Sequence, residues 1–136
     1  MYDHAVMMTK LAMRSSELGG IIWHQGENDC YDFDATEYKT LFLNVMTQIR
    51  KELNAQALPL IIGELSEKIA PEINLKDGPQ KLNRLLHVLE DEIPYCGVAP
   101  SSELTLKKDG IHLDSKFYRE LGKRYFQKYK ELVPFI

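Results

Sequence analysis

Nothing in this sequence approaches the ~20 consecutive apolar residues that a membrane-spanning helix requires, which excludes an integral helical membrane protein. Cysteine is scarce. Cys30 and Cys96 are the only two, too few for the disulfide framework of a small secreted domain. Positive charge is not in excess either. Seventeen Lys and Arg face 20 Asp and Glu, a formal net charge of −3, so the chain carries no electrostatic footprint for nucleic acid or an anionic membrane. The opening MYDHAVMMTK has no cationic segment followed by an apolar one and so does not read as a signal peptide. With two unpaired cysteines, the expectation is a soluble, cytoplasmic protein. Repeats, linkers and low-complexity segments are missing as well.

What is present suits one globular domain spanning residues 1–136. The 44% hydrophobic and 27% charged residues are the balance of an ordinary soluble fold. At 15.7 kDa the folded surface should be roughly 7,300 Å² against roughly 23,000 Å² unfolded. About two thirds of the surface is then buried, enough for a core without staples.

Apolar residues alternate between helical spacing and short continuous runs. Ala5, Met8, Leu11, Ala12 and Leu18 form a stripe that predicts a helix from Tyr2 to Leu18, stopped by Gly19-Gly20. Ile21-Ile22-Trp23 reads as a buried parallel strand. Asp34 then caps a helix in which Tyr38, Leu41, Phe42, Val45, Met46, Ile49 and Leu53 keep the 3.6-residue period. Leu58–Gly63 predicts a second strand, with Pro59 at its start, followed by a loop from Glu64 to Lys76. Asp77-Gly78-Pro79 opens a third helix that buries Leu82, Leu85, Leu86 and Leu89. Tyr95–Ala99 is a third strand and Ser101–Leu113 a loop. Asp114 caps a last helix that buries Phe117, Leu121, Tyr125 and Tyr129. The order αβαβαβα predicts an α/β fold with parallel strands and right-handed crossovers.

Two polar interruptions stand out. Trp23-His24-Gln25-Gly26-Glu27-Asn28-Asp29 follows a strand at its carboxyl end, where ligands bind in open α/β sheets. Gly26 lets backbone approach a bound group, and the Gln25 amide suits a developing oxyanion. The segment also reads as a polar loop in which Asp29, Asp32 and Asp34 compete to cap the next helix. Asp109-Gly110-Ile111-His112 precedes the last helix. An aspartate three residues before a histidine can hold one imidazole nitrogen and leave the other as a general base. Asp-Gly is equally the commonest of turn dipeptides. A metal site built from His24, Glu27, Asp29 and His112 is disfavoured, because no pair has the His-x-x-x-His spacing of a helical site.

Taken together, Trp-His-Gln-Gly-Glu-Asn-Asp after one strand and Asp-x-x-His before the final helix resemble the SGNH-hydrolase superfamily. The branch that looks most similar contains sialate O-acetylesterases and the acetylxylan esterases of carbohydrate esterase family 6. Gln25, Gly26, Glu27 and Asp29 match the family's third block, and Asp109, Gly110 and His112 its fifth. Ile61-Ile62-Gly63-Glu64-Leu65 resembles a strand between them. The resemblance implies a three-layer, flavodoxin-like parallel sheet flanked by helices. It further implies hydrolysis of acetyl esters on carbohydrate through an acyl-enzyme, without metal or other cofactor. By the same resemblance His112 is the general base and acid and Asp109 its orienting partner. Gln25 and Gly26 serve the oxyanion and substrate. Glu27, Asp29 and His24 support the loop.

One family feature is missing. Its members begin with a strand ending in Gly-Gln-Ser-Asn, whose serine is the nucleophile, and a glycine block follows; neither occurs here. None of Ser15, Ser16, Ser66, Ser101, Ser102 and Ser115 reads as a strand-to-helix turn of that kind. The expectation is the C-terminal part of an esterase domain, without the N-terminal strands or nucleophile, and therefore weak or no turnover. The alternative is a non-catalytic remnant that binds carbohydrate or a partner. A strand edge left open by the missing segment predicts a homo-oligomer with Ile21–Trp23 and the first helix at or near the interface.

Overall fold

The structure, a computed structural model, describes residues 2–68, 73–103, 106–110 and 114–133. Elements run α1 (Tyr2–Ala12), β1 (Ile21–Trp23), a 3-10 helix (Asn28–Asp32), α2 (Ala35–Glu52), β2 (Leu60–Gly63), α3 (Gly78–Glu92), β3 (Cys96–Ala99) and α4 (Ser115–Leu132). The three strands form one parallel sheet in the order β1-β2-β3, so the α/β expectation holds. Among the described residues, no helix is long and apolar enough to cross a membrane.

Alternation along the strands sorts the core into two sides. Leu60, Ile62, Cys96 and Val98 point toward α2 and α3, where Phe42, Met46, Leu82, Leu86 and Leu89 complete the main cluster. Ile61 and Ala99 point the other way, onto Leu121, Phe117, Tyr125 and Tyr129 of α4. Helices therefore cover both faces, which is why β2 reads as continuous apolar sequence. Truncating Leu82 or Leu89, both 0% exposed, would cost about 2–5 kcal/mol. The capping aspartates act as the sequence predicts. Asp34 accepts from Thr36 N and Glu37 N, and Asp114 from Lys116 N and Phe117 N.

The first helix departs from its expected form. It ends at Ala12, six residues before Leu18. Arg14 N and Ser15 N bond three residues back, and the Ser16 hydroxyl donates to Ala12 O at 2.8 Å; such local bonds compete with the helical ladder. Ser15 and Ser16 thus follow the helix instead of lying in it. The stripe is also turned outward. Val6 is the buried residue, while Met8 and Leu11 are about half exposed. Tyr2 Oη donates to Glu52 at 2.8 Å and Lys10 Nζ pairs with the same carboxylate at 3.3 Å, so the 2-6-10 face meets the end of α2. Leu41 of α2 is exposed too, and the stretch after Gly26 forms a 3-10 turn where competing caps were expected.

Total accessible surface is 8852 Å², about a fifth above the size expected for a globule of this mass. Part of the excess is apolar. Ile22 at the edge of the sheet is 62% exposed, and Met7, Met8, Leu11 and Leu41 are exposed as well.

Polar side chains tie the strand ends. Arg50, 7% exposed, donates to Pro94 O (3.0 Å) and Leu58 O (2.9 Å), joining the approaches to β2 and β3. At the opposite edge Glu64 accepts from Ser101 N at 2.8 Å and faces His87 Nε2 at 2.8 Å. His87 Nδ1 faces Glu90 at 3.0 Å, and Glu90 accepts from Val98 N. A neutral imidazole can donate to only one of two carboxylates, so this arrangement selects imidazolium. Burial alone would lower the His87 pKa, but its bonds to Glu64 and Glu90 outweigh that and raise it.

Two outcomes follow. Arg50→Ala should lower unfolding free energy by about 2–4 kcal/mol in a urea titration, because two carbonyls lose a charged donor. Arg50→Lys should recover little, since one ammonium cannot reproduce the fork; full recovery would contradict the assignment. For His87 the folded pKa lies above the unfolded one. Its stabilisation is then complete below the ordinary value of about 6.5 and disappears as pH rises through the folded pKa. The melting temperature of wild type should exceed that of His87→Gln in acid, by a small margin given the exposed ring, and the gap should close in alkali. A gap that widens with pH would refute it.

Candidate functional site

Because the strands are parallel and in register (Trp23 opposite Ile62, and Ile62 opposite Val98), the segments after them emerge together at one edge. His24–Asp29 leaves β1 there, Glu64–Ser66 leaves β2, and Pro100–Ser102 leaves β3.

The segment after β1 is held from several sides. Gln25 Nε2 donates to Asp29 Oδ2 at 2.6 Å, which fixes the amide and leaves its second N–H. Tyr38 Oη donates to Gln25 O at 3.3 Å, and Cys30 N reaches both Gly26 O and Glu27 O at 3.2 Å. Gly26 is buried at φ +144°, and a Cβ there would collide with the Leu82 side chain of α3. Only glycine lets this turn lie so close to the helix. Gly78 opens α3 directly against the backbone of Cys30 for the same reason of space. Gln25 and Asp29 stand at a cleft of about 190 Å³ whose other walls are Trp23, Tyr38, Leu41, Phe42 and Val45. Trp23 and Phe42 meet edge to face at 5.7 Å, and Tyr38 stacks on Phe42. A larger cleft of about 520 Å³, lined by Asp3, Val6, Met7, Lys10, Leu11, Arg14 and Glu52, lies at the other end of α2. It is about 20 Å from Tyr38, by the 1.5 Å rise over 14 residues, and has no part in this edge.

His24 points to the opposite side of the sheet from Gln25. Its Nδ1 is 2.8 Å from Tyr125 Oη of α4, and its Nε2 is 4.0 Å from Glu27 Oε1. The contact depends on Gly63, since a Cβ at the end of β2 would overlap both the Tyr125 hydroxyl and His24 Nδ1. Burial lowers the His24 pKa more than Glu27 raises it. Burial and then Glu27 raise that of Tyr125. Burial also pushes the Tyr38 hydroxyl and the Cys30 thiol each up to about 12, and the Cys96 thiol to about 11. Both cysteines are buried and free, so neither is a ready nucleophile.

Of the residues singled out in the sequence, His24, Gln25, Gly26, Glu27 and Asp29 are brought together on this one segment. Asp109 is exposed at a turn in which Gly110 N donates to Lys107 O at 3.0 Å, with Gly110 at φ +73°. His112 lies outside the described residues, as do its neighbours on either side. Among the described residues, no three His, Cys, Asp or Glu side chains converge as a metal-ligating group.

The serines occupy ordinary places. Ser101 is 7% exposed, and its hydroxyl donates to Leu65 O at 2.7 Å. Ser66 Oγ accepts from Lys68 N, Ser102 is in a turn and Ser115 opens α4. Sequence reasoning missed Gly63 and the role of Tyr125. The available signal was a tyrosine on a buried helical face, whose hydroxyl must find a partner.

Comparison with known proteins agrees with this architecture. The X-ray structure of a protein from Arabidopsis thaliana superposes with a TM-score of 0.81 at 23% identity, covering 96% of this chain and 52% of that one. The chain thus spans about half the length of that protein, and a likeness at this identity concerns the fold. No curated protein matches. A sequence model of one family does, along residues 1–131, nearly the whole chain and including the segment after β1. The protein belongs to the carbohydrate esterase family of sialic acid-specific acetylesterases.

Proposed function

We propose that this chain carries the acid–base and oxyanion parts of a carbohydrate O-acetyl ester hydrolase and has no serine nucleophile of its own. The observation that supports this best is the segment after β1. Its Gln25 amide is oriented by Asp29, and its Gly26 is forced into a conformation only glycine takes comfortably. A fixed amide N–H at a strand's carboxyl end can stabilise negative charge on an acyl oxygen without reorganising. In this reading His112 is the base, oriented by Asp109. Gln25 and Gly26 face the acyl group, with Glu27, Asp29 and His24 supporting them. The substrate is an acetylated carbohydrate, such as an O-acetylated sialic acid or acetylxylan, and no cofactor takes part.

Lack of a nucleophile rests on the serine positions described above. Removing the serine from such a triad leaves only residual acceleration from the oxyanion hole and binding. We also infer a homo-oligomer. Ile22 on the edge strand β1 is exposed, as are Met7, Met8 and Leu11 on α1, and exposed apolar side chains beside a strand edge favour association. Two free, buried thiols accord with a reducing, cytoplasmic setting.

Hydrolysis of p-nitrophenyl acetate tests the catalytic part. Turnover should stay near background and change little in His112→Ala. Robust turnover abolished by that substitution would mean that a nucleophile has been overlooked. Calorimetric binding of an acetylated sugar that is unchanged in Gln25→Ala and His112→Ala would favour the non-catalytic alternative. Sedimentation equilibrium at micromolar concentration tests the assembly. A dimer or higher oligomer is expected, whereas a folded monomer of 15.7 kDa would show that the β1 edge needs no cover.

A further inference from the structure

We propose that Tyr125 is a positioning residue: its hydroxyl holds His24 Nδ1 while Glu27 draws the ring proton to Nε2, and so it clamps the Gln25 segment to α4. The proposal deepens the functional reading above and rests on it for its catalytic meaning, but its geometry stands alone.

Among the described residues, two groups face the ring, one at each nitrogen. Tyr125 Oη is 2.8 Å from Nδ1, and Glu27 Oε1 is 4.0 Å from Nε2. With the proton on Nε2, the N–H faces the carboxylate and the Nδ1 lone pair accepts the tyrosine O–H. With the proton on Nδ1, a lone pair would face the carboxylate, and the ring N–H would donate to the tyrosine oxygen instead. Either arrangement keeps the Tyr125 bond, but only the first turns an N–H toward Glu27, so the carboxylate favours the Nε2–H tautomer. Protonating the ring would turn Nδ1 into a donor and reverse the direction of the Tyr125 bond. Burial opposes that charge, and the side chain is 27% exposed.

The consequence concerns Gln25. On the α2 side, its carbonyl and amide are held by Tyr38 and Asp29. On the α4 side, the His24–Tyr125 bond is the matching anchor one residue earlier, made through the space Gly63 leaves. Gln25 is therefore bracketed from both faces of the sheet, and α4 is the helix that the Asp109–His112 segment enters. Tyr125 thus acts through His24 on the amide proposed to meet the acyl oxygen.

Nitrogen-15 NMR of the histidine rings in the intact chain tests this without any activity. At neutral pH, His24 Nδ1 should show the shift of an unprotonated, pyridine-type nitrogen and Nε2 that of a protonated one. Its titration should lie below that of a model peptide. Tyr125→Phe should shift the His24 Nδ1 resonance, which loses its hydrogen-bond partner, and the Gln25 side-chain amide resonances. Finding the proton on Nδ1, or a charged ring at neutral pH, would overturn the proposal in the wild-type spectrum alone, whether or not the variant folds. A folded Tyr125→Phe with unchanged His24 and Gln25 signals would overturn it as well. Absence of esterase turnover bears on the functional reading and leaves this result untouched.

Discussion

Parallel register is the constraint on which the rest of this molecule depends. Three strands of three or four residues each offer few ladder bonds, yet they must end level for the segments beyond them to meet at one edge. Parallel pairing needs a crossover between each pair of strands, and those crossovers are α2 and α3. One of these crossover helices, α2, is also the one whose side chains line the cleft beside Gln25. Glu64 and Arg50 then hold the strand ends at opposite edges, where the short ladder alone would fray.

Close approach is the second theme. Gly26 against Leu82, Gly63 against Tyr125 and Gly78 against Cys30 each remove a side chain so that a loop or helix can sit directly on its neighbour. All three contacts bear on the segment from His24 to Asp32. A polar loop is ordinarily free to move. This one is boxed by helices on both faces of the sheet, which is what a preorganised hydrogen-bond donor requires.

Much of this was legible in the residues. β2 announces itself because both of its faces are covered, leaving no polar alternation, and Asp34 and Asp114 mark helix starts through local bonds. Less legible were features set by distant partners. The face α1 buries is decided by Glu52, more than 40 residues away, and by hydroxyls that stop the helix early. Leu41 keeps the helical period of α2 yet remains exposed, because periodicity reports which residues share a face and not whether anything covers it. The Tyr125–His24 bond joins residues 101 positions apart, with no local pattern to show it. The segment from Gln25 to Asp29 was legible as a polar interruption at a strand's carboxyl end, whereas its 3-10 turn was not.

The central claim is that the segment after β1 is a prebuilt recognition edge for acetylated carbohydrate. A titration of the isotope-labelled chain with an O-acetylated sugar, followed residue by residue in amide correlation spectra, tests it most directly. The account predicts saturable shifts centred on His24, Gln25, Gly26 and the Asp109–Gly110 turn, weaker with the deacetylated sugar. Shifts confined to the cleft between α1 and Glu52, or none at all, would contradict it.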